Sequence, residues 1–190
     1  MKLFTMIALL LLIFATSNCA LIGLEEEEEE TETAETGSID DLQGTWALSC
    51  TDKLTARIVI SGTNYTGTAT SYLEDPCVNP TVTVTASLNN LSPGTKTTLV
   101  DGSNGYFLTG AYTSITYTPL SEDAVTSFNY LSYCGINSWT INTSSEVSNK
   151  TCGDVVNPKL GSTTTGKYRI SGNKLVSEGS DQQVTVYTKQ

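Results

Sequence analysis

The residues with the most distinctive chemistry are five cysteines, in a chain of 190 residues that contains no histidine. Cys19 stands apart, whereas Cys50, Cys77, Cys134 and Cys152 form an even set without a Cys-x-x-Cys pair. A zinc site without histidine would need all four of these widely spaced thiolates, so disulfide chemistry is the better prediction. Four cysteines allow three pairings. We predict Cys50–Cys77 and Cys134–Cys152, because each pair closes a local strand-turn-strand segment, and we expect an oxidising compartment.

The other candidates for catalysis are carboxylates, because a serine or cysteine nucleophile would lack its histidine base. Glu74-Asp75 and Glu122-Asp123 are adjacent pairs whose side chains diverge, so neither pair forms an acid–base dyad by itself. Residues 101–105 are similar to the start of a calcium loop but lack the later acidic ligand, which favours a hairpin turn. We therefore expect no enzyme, metal or cofactor, and leave open a carboxylate pair assembled across strands.

The formal net charge of −10 is concentrated near the N-terminus. Eight of the twenty acidic residues lie between positions 25 and 35. From residue 36 onward, 12 acidic residues stand against 9 basic ones, which leaves a net charge of −3. Such a domain has no basic field with which to neutralise phosphates, so we expect no nucleic-acid partner.

Residues 1–18 are predicted to be a signal peptide and not part of the fold. Residues 3–14 form an apolar run that is too short for a membrane-spanning helix. The segment resembles a bacterial lipoprotein signal, which implies that Cys19 is lipidated and anchors the protein to the membrane. Thr16 and Asn18 depart from the usual residues of that signal. The alternative is ordinary signal cleavage, which would release a soluble secreted protein.

Residues 19–37 are predicted to be the lipidated cysteine and an acidic tether. The six glutamates at residues 25–30 repel one another and bury no apolar surface, so this segment is expected to be extended and disordered. In some bacteria, acidic residues after the lipidated cysteine mark lipoproteins for surface export. Ala20 differs from the aspartate that retains lipoproteins at the inner membrane. The resemblance therefore implies an outer-membrane anchor in the cell envelope, with cell-surface exposure as a further alternative.

Residues 38–190 are predicted to form one all-β domain, because they are rich in Thr, Ser, Val, Tyr and Gly. Residues 81–88 alternate apolar and hydroxyl side chains, which is typical of a half-buried antiparallel strand. The predicted strands are residues 45–50, 54–61, 65–73, 81–88, 97–100, 106–117 with a break near Gly110, 138–143, 167–170, 174–178 and 184–189.

One segment, residues 121–133, has the spacing of an amphipathic helix instead. Ser121 is a suitable N-cap and is followed by two acidic residues. Val125, Phe128 and Leu131 recur at helical spacing. We predict a short helix that packs this face against the sheet and stops before Gly135.

The pair Gly44-x-Trp46 resembles the motif that opens the first strand of lipocalins and other calycin barrels. The motifs Gly-Thr-Trp at 44–46, Tyr-Leu-Glu-Asp-Pro-Cys at 72–77 and the segment 128–139 resemble a group of uncharacterised bacterial lipocalin-like envelope lipoproteins. The resemblance implies an antiparallel up-and-down barrel of about eight strands. It also implies that Trp46 is buried at one end of the barrel. The chain departs from the lipocalin pattern in lacking an obvious last-strand arginine to cover Trp46, and only Arg57 and Arg169 are candidates.

Three classes of function follow from the domain and its predicted anchor. A barrel that binds a small apolar ligand is favoured by the aromatic residues Trp46, Tyr65, Tyr106, Phe107, Tyr112, Tyr117 and Trp139. These aromatic side chains could equally fill a solid core, since a barrel of eight strands is narrow enough for side chains to close its interior. The alternatives are a surface interaction protein, such as an adhesin or an enzyme inhibitor, and a structural envelope lipoprotein without a ligand. A roomy cavity would favour the first class, and exposed aromatic residues would favour the second.

Overall fold

The computed structural model of the protein describes residues 35–179 and 182–190. The signal peptide, Cys19 and most of the predicted tether lie outside the described residues, so lipidation stays a prediction. Within the described ranges, no helix is long and apolar enough to cross a membrane.

Eleven strands are defined in the described part of the chain, and most alternate buried and exposed side chains as half-buried strands do. They are β1 (Gly44–Thr51), β2 (Leu54–Ser61), β3 (Asn64–Glu74), β4 (Val78–Thr98), β5 (Asn104–Pro119), β6 (Ser145–Glu146), β7 (Thr151–Cys152), β8 (Val155–Val156), β9 (Thr163–Ser171), β10 (Lys174–Glu178) and β11 (Val184–Lys189).

Eight of these strands close into one barrel. Strands β1 to β5 and β9 to β11 each pair antiparallel with their neighbours in chain order, and β11 pairs with β1 to close the ring. This confirms the predicted all-β, up-and-down antiparallel barrel. The short strand β6 pairs with β5 outside the ring, and β7 pairs with β8 alone.

The predicted strand boundaries are confirmed at β2, β10 and β11. Strands β4 and β9 are longer than predicted, and β6, β7 and β8 were not predicted. Three further differences have a visible cause. Strand β5 runs through Gly110 without a break; a Cβ there would lie 2.9 Å from Leu91 Cδ2, so this glycine permits close packing. Thr97 and Thr98 belong to β4 and do not begin a new strand. Residues 138–143 are not a strand, because the Asn129 side chain bonds both the N–H and the carbonyl of Trp139.

A short helix that the sequence did not indicate, α1 (Ile39–Leu42), lies just before β1. The Ser38 hydroxyl caps it by accepting a hydrogen bond from Asp40 N at 3.2 Å. Leu42 is fully buried. Gln43 ties the helix to the β2–β3 turn, since its side-chain amide donates to the Gly62 carbonyl at 3.0 Å and accepts from Gly62 N at 2.8 Å. Helix α1 therefore covers the end of the barrel at which β1 begins.

The predicted helix is present as α2 (Glu122–Tyr130), and Ser121 caps it by accepting from Ala124 N at 3.2 Å. Phe128 is buried as predicted, but Leu131 is 54% exposed and does not face the barrel. The helix ends earlier than predicted because Ser132 adopts a left-handed conformation, with φ of 46°. The chain then forms a 3-10 turn over Tyr133–Gly135.

Candidate functional site

The tryptophan of the opening motif closes one end of the barrel. Gly44 is the first residue of β1 and has φ of +114°, a conformation that favours glycine. Trp46 is fully buried, and its Nε1 donates to the Leu42 carbonyl at 2.8 Å. Trp46 is paired with Lys189 in the last strand, β11. The predicted burial of Trp46 and its contact with a late strand are therefore confirmed.

A lysine, and neither candidate arginine, covers Trp46. The Lys189 ammonium lies 5.0 Å from the centroid of the indole, within the range of a cation–π contact. Arg57 instead approaches Thr45 Oγ1 at 3.4 Å, and Arg169 pairs with Asp101 at 3.5 Å. Neither candidate covers Trp46, because the pairing of β11 with β1 places position 189 opposite it.

Residues 35–38 precede α1 and are hydrogen-bonded to the C-terminal part of β4. We call these residues the strap. Lys96 N donates to the Glu35 carbonyl and Gly37 N to the Gly94 carbonyl, both at 3.1 Å. The Glu35 carboxylate accepts from Tyr106 Oη at 2.8 Å and from Lys96 Nζ at 3.0 Å. These bonds lower the pKa of Glu35. The last residues of the predicted tether are therefore attached to the barrel.

Gly37 allows the strap to cross two aromatic rings. A Cβ at this position would lie 2.1 Å from Tyr168 Oη and 2.9 Å from Tyr106 Cγ. The rings of Tyr106 and Tyr168 are themselves in contact, with centroids 5.9 Å apart. The strap and α1 thus seal the same end of the barrel, which we call the tether end.

The interior of the barrel is largely filled by tyrosines. Tyr65, Tyr112, Tyr117, Tyr168 and Tyr187 are all buried and belong to one apolar core. A cavity of about 30 Å³ remains near the tether end. Its lining includes Leu42, Ile58, Ile60, Tyr65, Leu108 and Leu175. Sites for small molecules usually measure about 300–1,000 Å³, whereas this volume suits one or two water molecules.

The aromatic residues predicted to bind a ligand do not share one pocket. Of the seven aromatic residues named in the sequence analysis, only Tyr65 lines the cavity near the tether end. Tyr106 contacts the strap, and Tyr117 lies toward the opposite end, with its ring 6.1 Å from that of Tyr133. Trp139 follows α2, outside the strands of the barrel. Ligand binding by these residues stays a prediction.

Burial of the tyrosines has a consequence at alkaline pH. Desolvation raises the pKa of Tyr133, Tyr168 and Tyr187 to about 12 and also raises those of Tyr65 and Tyr117. An unfolded tyrosine ionises near about pH 10. Above about pH 10, the unfolded state loses tyrosine protons while the folded state keeps them. The contribution of these tyrosines to the free energy of unfolding is therefore complete below about pH 10 and is lost as the pH rises through 12.

We expect the free energy of unfolding to stay level to about pH 10 and to fall steeply above it. Urea unfolding at several pH values, followed together with tyrosinate absorbance, measures both effects. In the folded protein, the buried tyrosines should ionise only as the structure unfolds. Titration of all nine tyrosines near pH 10 with the fold intact would contradict the buried positions.

The opposite end of the barrel carries a lobe formed by residues 120–162, which we call the far lobe. It begins where Leu120 N donates to the Thr81 carbonyl at 2.7 Å, at the start of the apolar part of β4. Phe128 stacks on Tyr133 with ring centroids 4.4 Å apart, and Trp139 meets Phe128 edge-on at 5.0 Å. This aromatic cluster is continuous with the core of the barrel, since the Tyr133 ring also packs against Tyr117 of β5.

Both predicted disulfides are present and lie on this side of the molecule. Cys50 at the end of β1 is bonded to Cys77 in the β3–β4 turn, with Cα atoms 5.8 Å apart. Cys134 and Cys152 join the 3-10 turn of the far lobe to β7, with Cα atoms 4.2 Å apart. The predicted pairing in sequence order is confirmed.

Large apolar side chains are exposed on this same side. Tyr130 is 87% exposed, Val156 is 70% exposed, and Leu131 is 54% exposed, all within the far lobe. Leu73 and Val78, which flank the β3–β4 turn, are also exposed. We call these five residues the far-end apolar residues. Leu160 of the far lobe is exposed as well, and Val100, in the β4–β5 turn at the tether end, is 55% exposed. The structure buries the predicted ligand residues Trp46, Tyr65, Tyr112, Tyr117 and Trp139 but exposes the far-end apolar residues.

The carboxylates serve local structure. Asp101 accepts from Ser103 N at 2.9 Å in the β4–β5 turn, so residues 101–105 form the predicted hairpin turn. Asp75 accepts from Lys53 N at 2.9 Å. Glu122 and Asp123 lie in the first turn of α2, where negative charge favours the helix. Among the described residues, no group of three His, Cys, Asp or Glu side chains is placed to hold a metal ion.

The class that these features define is a closed barrel of eight antiparallel strands, consistent with a calycin-like fold. No protein-family profile matches the chain, and no curated protein matches it. The fold is compatible with ligand binding, but a fold of this kind supports many functions, so function must be argued from its surfaces.

Proposed function

We propose that this protein is a lipid-anchored lipoprotein of the bacterial outer membrane that recognises a protein partner through the far-end apolar residues. In this proposal the barrel is a rigid scaffold, and the anchored N-terminus directs the far end away from the membrane. The observation that carries it is the placement of exposed apolar side chains, led by Tyr130 at 87% exposure, on the side away from the strap.

The strap places the attachment point of the predicted tether at the end of the barrel opposite the far lobe. Sixteen peptide steps separate Cys19, the predicted lipid anchor, from Glu35 in the strap. A chain of that length spans at most about 55 Å, so a lipid on Cys19 would hold the strap within that distance of the membrane and leave the far lobe free to face away from it. Surface exposure of the anchored protein would then leave the far lobe accessible to partners.

The chemistry of the far-end apolar residues favours a protein partner. Tyrosine and aliphatic side chains dominate the buried centres of protein interfaces, and exposed apolar residues rimmed by polar ones mark such sites. Glu74, Asp75 and Asp154 provide acidic neighbours in sequence to Leu73 and Val156. The preferred partner would therefore present an apolar surface with basic residues around it.

A small apolar ligand inside the barrel is the second candidate, and the cavity beneath α1 favours it. Leu42 and Tyr65 line this cavity, so outward movement of α1 would enlarge it. The first proposal is the stronger one because the present volume of about 30 Å³ admits no apolar ligand without such a movement. An enzymatic role is not part of either proposal.

Site-specific photocrosslinking in the bacterium that makes the protein tests the first proposal. A photoreactive residue replaces Tyr130 in one strain and Val186, on the outer face of β11, in a control strain; Val186 is 43% exposed. We expect discrete adducts from position 130 and not from position 186, with adducts lost when Cys19→Ser removes the predicted anchor. Equal adducts from both positions, or no adduct from position 130, would contradict recognition through the far end.

A further inference from the structure

The outer face of β3, β4 and β5 carries a regular array of hydroxyl side chains, which we call the hydroxyl wall. Strand register aligns nine threonines and serines in three rows across the three strands. The rows are Thr66–Ser87–Ser114, Thr68–Thr85–Thr116 and Thr70–Thr83–Thr118. All nine residues are partly exposed, while their neighbours along each strand point into the core.

Within two of the rows, the hydroxyls of β3 and β4 are hydrogen-bonded to each other. The hydroxyls of Thr70 and Thr83 are 2.9 Å apart, and those of Thr68 and Thr85 are 3.4 Å apart. Thr118 continues its row to Ser144 at 2.8 Å. A hydroxyl has one donor and two acceptor sites, so each paired group keeps bonding capacity that faces outward. The wall therefore presents fixed donors and acceptors beside threonine methyl groups.

The wall contains no charged side chain. Arg57 and Glu146 stand at the two ends of its middle row, opposite Thr68 and Thr116. The outer face of β9 and β10 is different, since Lys167 there forms an ion pair with Glu178 at 2.8 Å. Cross-strand threonine pairs stabilise any sheet, but that effect does not explain why uncharged hydroxyls are gathered on one side of the barrel.

An aromatic ring stands at one corner of the wall. Tyr72 follows Thr70 on β3, and its Oη lies 3.3 Å from Thr55 Oγ1 on β2. Tyr72 is only partly buried, so its ring is available beside the hydroxyl rows. Aromatic rings beside hydrogen-bonding groups suit ligands that have both C–H faces and hydroxyl edges, as sugar rings do.

We propose that the hydroxyl wall binds a neutral polysaccharide chain that lies across the strands. Adjacent strands are about 4.8 Å apart, which is close to the advance of an extended pyranose chain per sugar unit. Successive sugars can thus meet successive hydroxyls of a row. The wall itself carries no charged side chain, and the domain from residue 36 onward has a net charge of −3, so nothing in it attracts a polyanion and a neutral polymer is the better match.

Because the barrel is twisted, the hydroxyl wall fits a flexible polymer chain better than the flat surface of a solid. Neighbouring strands are rotated by about 20–25°, so the three strands of the wall do not form a plane. A rigid crystalline surface would touch only part of such a wall. A single polysaccharide chain can follow the twist.

Affinity electrophoresis of the full mature protein in native gels tests the proposal. The probes are three neutral polysaccharides (hydroxyethylcellulose, galactomannan and dextran), with dextran sulfate as the charged comparison. The variant T68V/T85V/T116V removes the middle row of hydroxyls but keeps β-branched side chains of similar size. Its control is T165V/T188V, which changes two exposed threonines on the outer faces of β9 and β11.

We expect at least one neutral polysaccharide to retard the unmodified protein and the control variant equally. The middle-row variant should bind at least about tenfold more weakly, since each of three lost hydrogen bonds weakens association severalfold. A thermal melt of each variant confirms that the fold is kept. Retardation by none of the neutral polymers, retardation by dextran sulfate alone, or equal retardation of the middle-row variant would overturn the proposal.

Discussion

Trp46→Ala is expected to lower the free energy of unfolding by about 3–5 kcal/mol. The substitution leaves a cavity where a fully buried indole now contacts the tether end of the core. It also leaves the Leu42 carbonyl without the hydrogen bond from Trp46 Nε1 and removes the ring beneath Lys189. Urea unfolding monitored by far-ultraviolet circular dichroism measures the loss.

Two controls separate this effect from a general sensitivity to mutation. Trp46→Phe keeps an aromatic ring and loses the N–H, so it should cost less than Trp46→Ala. Tyr130→Ala alters a side chain that is 87% exposed and should change stability by no more than about 0.5 kcal/mol. A stable Trp46→Ala protein, or an indole open to an aqueous quencher in the native state, would contradict the role of Trp46 in closing the barrel.

Removal of the far-lobe disulfide by C134S/C152S is expected to cost about 3 kcal/mol. The bond closes a loop with a sequence separation of 18 residues. Strands β6, β7 and β8 have two residues each, so the far lobe lacks the long strand pairing that holds the barrel together. We expect the lobe to open while the barrel, which has eight paired strands, remains folded.

Hydrogen exchange resolved along the chain measures this second effect. In C134S/C152S, exchange should rise over residues 120–162 and stay low in β2 and β3. The matched control C50S/C77S removes the other disulfide, with a sequence separation of 27 residues, and should leave the far lobe protected. Uniform exchange along the chain of C134S/C152S would show that the lobe and the barrel unfold as one unit.

Much of the barrel could be predicted because its strands obey local rules. Strand β2 alternates buried and exposed residues along its whole length, and its predicted limits match the structure. The pairing of Cys50 with Cys77 also follows from proximity in sequence. The start of α2 could be predicted from Ser121, because an N-cap is a local interaction between a side chain and nearby backbone N–H groups.

The features that escaped prediction depend on contacts between distant residues. Lys189 lies over Trp46 only because β11 closes the barrel against β1. Residues 138–143 have strand-like composition, but the Asn129 side chain is hydrogen-bonded to both the N–H and the carbonyl of Trp139. The hydroxyl wall is visible in the sequence as alternating Thr and Ser within each strand. Its rows depend on the register, which tertiary packing sets.

The far-end apolar residues show why the site was harder to predict than the fold. Leu131 has helical spacing with Phe128 and was predicted to face the barrel, yet only Phe128 is buried. The left-handed Ser132 turns the chain after Leu131, so the local periodicity ends there. Exposure of Tyr130 and Val156 follows from how the far lobe packs, which periodicity does not encode.

Native mass spectrometry of the mature protein, purified from its own envelope in detergent, tests most directly whether recognition lies outside a filled barrel. We predict a folded species with the mass of the polypeptide and any covalent lipid, without a retained small molecule, because buried tyrosines fill much of the core and the cavity near the tether end measures about 30 Å³. A small molecule bound at one copy per chain, released when the protein unfolds, would contradict the filled interior and would favour the ligand-binding alternative.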